Sequence, residues 1–316
     1  MNKYIKICLA TFLVFASFSC DQYEVFEREQ YKSLFALVSD DDNVSTWFHD
    51  LRLSESEGYV TASLGGTNPT DKDIRVTLVE DTKLIDDYNV LTYDLNRSKY
   101  IKALDRSKYT IPSYELVIPA GEVRGVIPVR IRPEGLSPDS SYFIALRIDS
   151  YNVYEANPDK EYLLYQVRIK NWWASYGGTR YDQRAKKAED GSSMLLDKFG
   201  SKLVFPLSEN SFRIMAGDML NDDSDPYVYK HRSMKITILD GDKLRIEPYY
   251  DQEITQNDGD EDYPNVIMVE DDGFKTYKTF LLSYTYRDTD GVLYNFKEEL
   301  RIDFKEDIND PRILTK

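Results

Sequence analysis

The chain has 316 residues, with 40 Lys+Arg against 55 Asp+Glu for a net charge of −15, and an aromatic load of 25 Tyr, 14 Phe and 3 Trp. So acidic a surface repels phosphate backbones, which argues against nucleic acid as a partner and suits neutral glycans or cations. Two cysteines, Cys8 and Cys20, and two histidines, His49 and His231, leave little for a disulfide framework, a zinc cluster or histidine-driven hydrolysis.

Residues 1–19 read as a secretory signal peptide: Lys3 and Lys6 precede an apolar run, Ile7 to Phe18, that is too short to span a bilayer. Small Ser17 and Ser19 then lead into Cys20, the pattern of lipoprotein processing, so Cys20 is expected to carry the lipid that anchors the mature chain to the outer membrane. Residues 20–32, with Asp21, Glu24, Glu27 and Glu29, form the tether, and acidic residues at this place resemble the surface-export signal of Bacteroidetes lipoproteins.

Residues 33–170 follow mostly a period of two. Strands are predicted at Ser33 to Val38, Gly58 to Leu64, Ile74 to Val79, Tyr114 to Ile118, Val126 to Ile131, Tyr142 to Ile148 and Tyr162 to Ile169. Leu84, Ile85 and Tyr88 mark one or two helical turns over Thr82 to Asn89, with Asp81 as a cap. Two near copies, Leu95-Asn-Arg-Ser-Lys-Tyr100 and Leu104-Asp-Arg-Ser-Lys-Tyr109, read as a local echo. Short strands with turn residues between them describe a β-sandwich. A break follows near Lys170, with Trp172-Trp173, Gly177-Gly178 and a basic patch of Arg180, Arg184, Lys186 and Lys187. Strands resume at Lys202 to Phe205 and recur to Val292 to Ile302, with Asp240-Gly241, Asp272-Gly273 and Asp290-Gly291 as hairpin turns. The expectation is an all-β chain: an Ig-like sandwich over 33–170, then an antiparallel meander over 171–316, either a lipocalin-like barrel or a second sandwich.

Leu78-Val-Glu-Asp81, Tyr114-Glu-Leu-Val-Ile-Pro-Ala-Gly121 and Tyr142-Phe-Ile-Ala-Leu-Arg-Ile148, in that order, resemble the Ig-like N-terminal domain of surface lipoproteins from Bacteroidetes polysaccharide-utilisation systems. The second half, with Phe280-Leu-Leu-Ser-Tyr-Thr-Tyr286 and Phe296-Lys-Glu-Glu-Leu300, resembles the barrel-like domain that follows it there. The resemblance implies a cell-surface role in glycan capture and carries no catalytic residue.

The residues themselves point the same way. The sequence has no Gly-x-Ser-x-Gly elbow, no His-Glu-x-x-His and no phosphate-cradling loop. Glu298 and Glu299 are neighbours in a strand pattern, so they face opposite sides and cannot act as a catalytic pair. Asp222-Asp223-Ser224-Asp225 and Asp258-Gly259-Asp260-Glu261-Asp262 offer hard oxygen ligands, yet neither follows a calcium-loop spacing, and solvated loops are the better reading. No metal or other cofactor is implied. Rings that stack on sugar faces are sought first at Trp172 and Trp173, with Tyr176 and Tyr181 behind them, then at Trp47 in a loop-like segment, then at Tyr250 beside the long acidic loop. The leading reading is a non-catalytic glycan-binding accessory of an uptake system. An adhesive, fimbria-associated module with a protein partner is the first alternative, and a carboxylate-dependent glycosidase the second.

Overall fold

The computed structural model describes residues 33–66, 70–219 and 225–304. The leader, Cys20, the tether and residues 222–224 of the first acidic loop lie outside these. The described residues are about 53% strand, and no helix among them is long and apolar enough to cross a membrane.

In chain order the first part holds β1 (Leu34–Leu37), β2 (Val44–Asp50), β3 (Ser56–Gly65), β4 (Ile74–Glu80), α1 (Lys83–Tyr93), β5 (Lys102–Ala103), β6 (Tyr109–Thr110), β7 (Glu115–Ile118), β8 (Arg124–Ile131), β9 (Tyr142–Tyr151), β10 (Glu155–Ala156) and β11 (Tyr162–Lys170). One sheet runs β10-β1-β3-β8-β6 and the other β2-β11-β9-β4-β7, with β5 added to β9. Their inner faces alternate as period-two strands must: Val60, Ala62 and Leu64 of β3 meet Val76, Leu116, Val129, Leu163 and Val167 in one apolar cluster. Gly58 is the one inward position of β3 where a side chain has no room, because a Cβ there would lie 2.0 Å from the Tyr165 hydroxyl.

His49, fully buried, sits at the edge of this core. Its Nδ1 lies 3.2 Å from Ser56 Oγ and its Nε2 3.1 Å from the Tyr165 hydroxyl. Burial pushes its pKa down to about 4, because the imidazolium would lose its hydration. Helix α1 covers the outer side of β9. Asp81 accepts the Lys83 amide at 3.1 Å, and Ile85 packs with Ile101, Phe143 and Leu164. Asn89 clamps the returning chain by giving 3.0 Å and 2.8 Å hydrogen bonds to and from the Ile101 backbone. That clamp and the Tyr88–Tyr93 ring contact carry the helix one turn past its predicted end.

The second part holds β12 (Thr179–Glu189), β13 (Leu196–Ser208), β14 (Ser211–Met215), α2 (Pro226–Arg232), β15 (Ser233–Ile238), β16 (Leu244–Pro248), β17 (Ile254–Gln256), β18 (Val266–Asp271), β19 (Thr276–Arg287) and β20 (Leu293–Phe304). They form one sheet in the order β16-β15-β14-β13-β12-β20-β19-β17, with β18 also on β19. The sheet curls into a nearly closed barrel. At the seam, Lys243 bridges Val266, and the Gln256 side chain accepts the Ile246 amide at 2.7 Å in place of a strand partner.

Large and polar side chains fill the barrel. Glu298, fully buried, accepts hydrogen bonds from Lys202 at 2.8 Å, Tyr284 at 2.8 Å and Gln183 at 2.6 Å. Burial lowers the Lys202 pKa, while the Glu298 carboxylate opposes that shift. Nearer one end, Asp218 meets Lys187 at 2.8 Å, Lys198 at 3.0 Å and the Tyr286 hydroxyl at 2.8 Å. These donors hold its carboxyl well below the usual range against the opposing effect of burial. The basic patch therefore divides: Lys187 points inward, whereas Arg180, Arg184 and Lys186 alternate outward on β12.

Candidate functional site

The turn between the two parts is built by Asn171. Its side-chain amide donates to the Ser208 and Ser211 carbonyls at 2.7 Å and 3.1 Å, and its carbonyl accepts the Trp173 and Ala174 amides at 2.9 Å and 2.8 Å. The chain thus turns where a continued strand was the alternative, and the Trp pair is put to structural use. Trp173 is buried in the barrel core beside Phe280, and the Lys278 ammonium lies 4.1 Å from the Trp172 ring centroid. Tyr181 is fully buried and donates to the Trp173 carbonyl at 2.8 Å. The expectation that Trp173 and Tyr181 contact ligand is corrected by this burial, and Trp172 has a ring face occupied by Lys278. Trp47 lies on strand β2, not in a loop. It is half-buried, parallel to Tyr165 at 6.5 Å and edge-on to Tyr59 at 5.5 Å.

Tyr176 has a different fate. It lines a cleft of about 300 Å³ between the two parts, with Tyr93, Tyr100, Phe205 and Tyr229. Its hydroxyl lies 2.8 Å from Ser141 Oγ, and the Arg168 guanidinium covers one ring face at 4.8 Å. Helix α1 supplies Tyr93, and the following 3₁₀ turn at Arg97–Lys99 leads to Tyr100. The second copy of the echo forms the same kind of turn at Arg106–Lys108, but its Tyr109 goes into the sandwich core.

One ion pair fastens the cleft floor. Arg213 of β14 reaches across to Asp139 at 3.0 Å, and Tyr249 donates to the other Asp139 oxygen at 2.5 Å. The guanidinium is packed against the rings of Phe205 at 4.3 Å, Tyr229 at 4.9 Å and Tyr249 at 5.6 Å. A planar, delocalised cation suits such a cage better than an ammonium does. Burial and the Asp139 carboxylate both push the Tyr249 phenol well above its usual pKa, so it remains a hydrogen-bond donor.

Beside the cleft stands an exposed aromatic platform. Helix α2 begins with Asp225 accepting the Tyr227 amide and Pro226 in the first turn, an ordinary N-terminus. Four residues apart on one face, Tyr227 and His231 approach to 4.2 Å between ring centroids. Tyr250 meets His231 edge-on at 5.4 Å, and Asp251 holds the imidazole Nδ1 at 2.5 Å. Tyr227 and Tyr250 are 64% and 68% exposed, the condition a ring must meet to stack on a sugar. Of the residues nominated from sequence, Tyr176 and Tyr250 therefore belong to this junction region. Tyr93, Tyr100, Tyr227, Tyr229, Asp139 and Arg213 were missed; the strand-like setting of Arg213 and the turn setting of Ser137-Pro138-Asp139 gave no chemical signal.

In the second acidic loop, Asp260 pairs with Lys297 and accepts the Asp262 and Tyr263 amides at 3.1 Å and 3.0 Å. Among the described residues no cluster of acidic, histidine or cysteine side chains has the grouping of a metal site.

One family model, described as a "-like, N-terminal domain", matches residues 31–155, and a second, described as "-like, C-terminal", matches residues 161–301. The two matches follow one another along the chain and resemble the N-terminal and C-terminal domains of their families. The C-terminal match begins just before β11, a strand that the structure pairs within the sandwich. Solved structures repeat the whole architecture. A Bacteroides ovatus protein of unknown function is 14% identical with a TM-score of 0.64, covering 88% of this chain and 98% of its own. A second from that organism is 15% identical with a TM-score of 0.61, over 92% and 97%. An auxiliary nutrient binding protein from Bacteroides thetaiotaomicron is 15% identical with a TM-score of 0.59, over 84% and 92%. No curated protein matches the chain.

Proposed function

We propose that this protein is a non-catalytic accessory of a polysaccharide uptake system, anchored through lipid on Cys20 at the outer cell surface, that binds glycan at the junction cleft and its platform. The observation that carries the reading is the grouping of Tyr93, Tyr100, Tyr176 and Tyr229 around a polar cleft, with exposed Tyr227 and Tyr250 beside it. Flat apolar faces with hydroxyl tips match the C–H faces and hydroxyls of sugars. Among the described residues of the cleft lining Asp139 is the single carboxylate, and both its oxygens are engaged, whereas a glycosidase needs two acids with distinct roles. The fold shared with an auxiliary nutrient binding protein supports the same class.

Calorimetric titration of the mature chain with a panel of oligosaccharides tests this. Binding to at least one glycan, weakened about tenfold or more by Tyr176→Ala or Tyr250→Ala without a change in melting temperature, is the expected result. Binding that ignores both substitutions removes the site. For the anchor, Cys20→Ala is expected to move the protein from the membrane fraction to the soluble one, and retention there overturns it.

A second reading, a protein-binding adhesive module, draws on one observation. Val90, Leu91 and Leu95 at the end of α1 are 61%, 86% and 85% exposed, an apolar ridge of the kind protein partners cover. Co-purification of a protein partner that Leu91→Glu abolishes, with no glycan binding, favours it.

A further inference from the structure

The net charge of −15 suits a neutral ligand, but the junction cleft reverses that sign locally. Among the described residues its charged lining is Lys99, Lys102 and Arg213 against Asp139. The one acid is consumed within the protein by Arg213 and Tyr249. Lys99 and Lys102 remain, exposed and without a carboxylate partner among the described residues; the Lys102 ammonium has the hydroxyl of Ser140 at 3.2 Å. Three other clefts of the chain, between about 290 and 470 Å³, show what its surface ordinarily offers. One sets Arg52 against Glu134 and Glu209, another Lys186 and Arg301 against three acids, and the third balances three cations with three acids. Only the aromatic cleft among these four has an excess of cations.

We infer that the junction cleft selects saccharides carrying a carboxylate or sulfate group, with Lys99 and Lys102 pairing the anion while the tyrosines hold the ring. This deepens the glycan reading of the same site and rests on it. The geometry places both cations near Ser98, Ser140, Ser141 and the Tyr100 and Tyr176 phenols, so an anionic sugar meets charge and hydroxyl-binding groups together. In a chain whose overall field repels anions, this local pair favours an acidic ligand by short-range contact rather than by long-range steering. A neutral sugar leaves the two ammonium groups in water and gains nothing from them.

The test uses the mature chain and four probes: tetragalacturonate for the carboxylate, a chondroitin sulfate tetrasaccharide for the sulfate, maltotetraose as a neutral sugar, and oligoglutamate as an anion without rings. At least one acidic saccharide is expected to bind about tenfold or more tightly than maltotetraose. That preference is expected to shrink as salt rises from about 0.01 M to about 1 M, where the screening length falls from about 30 to about 3 Å. The Lys99→Gln/Lys102→Gln double variant is expected to lose the preference and keep its melting temperature. Whichever of the first two probes binds identifies the anion. Equal binding of neutral and acidic sugars, or a double variant that keeps the preference, overturns the inference and leaves glycan binding standing. Binding of oligoglutamate with no saccharide bound overturns both, as does binding of none of the four.

Discussion

The two halves of this molecule bury their sheets in opposite ways. The sandwich core is mainly aliphatic, with the rings of Phe35 and Tyr109 among its Val, Ile and Leu and with His49 and its Ser56 and Tyr165 partners as a polar insertion. The barrel interior instead carries Lys202, Glu298 and Gln183 at its centre and Lys187, Asp218 and Lys198 toward one end. Geometry explains the difference. Two sheets packed about 10 Å apart are filled by Val, Ile and Leu, whereas a closed sheet of many strands encloses a wider space that only long side chains span. Long polar residues entering from facing strands must then satisfy one another, and each one becomes dependent on its partner.

That contrast is open to direct attack. Glu298→Ala leaves the Lys202 ammonium buried without its counter-charge, and the barrel is expected to lose about 3–5 kcal/mol, while the Lys202→Met/Glu298→Leu pair recovers most of it. Chemical denaturation followed separately in each half reads this; a single variant that melts like the parent would show the buried pair to be dispensable.

Acid acts on the other half. His49 has a folded pKa of about 4 against about 6.5 unfolded, so between these values the unfolded chain binds more protons and stability falls as pH is lowered. The sandwich is expected to lose about 3 kcal/mol between pH 6.5 and 4, a slope that His49→Gln flattens. Asp218, with its depressed pKa, contributes stability above its unfolded value that is lost only as pH falls below the usual carboxylate range. Melting curves over this interval should therefore weaken the sandwich first, and a barrel that yields before the sandwich breaks the comparison.

A smaller effect tests how tightly the barrel end is packed. Gly217 has φ 57°, and a Cβ there would lie 2.0 Å from the Tyr286 ring, whereas Gly241, at φ 72°, faces open space. Gly217→Ala is expected to cost about 1–3 kcal/mol more than Gly241→Ala, measured by thermal unfolding. Least of all, Lys275→Ala breaks an exposed 2.8 Å pair with Asp303 and should leave the melting temperature where it was, in contrast with Lys202.

The same contrast decides what could be read in advance. In the sandwich, β3, β4 and β8 alternate apolar and polar residues, and their predicted positions match the strands to within a few residues. The Asp-Gly turns also stood out, since Gly241, Gly273 and Gly291 all adopt positive φ. Strand β12 did not: its inward residues Tyr181, Gln183, Ala185 and Lys187 are mixed with charged outward ones, so no apolar period betrays it and it resembled a basic patch. Strand β2 was hidden likewise by Ser45, Thr46 and buried His49 and Asp50. At the site, Tyr176 and Tyr250 were visible as aromatics near a break and a loop. Tryptophan pairing misled because Asn171 turns the chain there and Lys278 and Phe280 close over the rings.

By itself the amino-acid order determined an all-β chain and its main turns, because alternation and Asp-Gly dipeptides are local properties. Only the tertiary structure decided which aromatics face solvent, that Lys202 and Glu298 share the barrel's centre, and that Lys99 and Lys102 stand beside Tyr176 in a cleft. Those outcomes depend on contacts between residues far apart along the chain, where burial and partner, not identity, set what a tyrosine or a lysine can do.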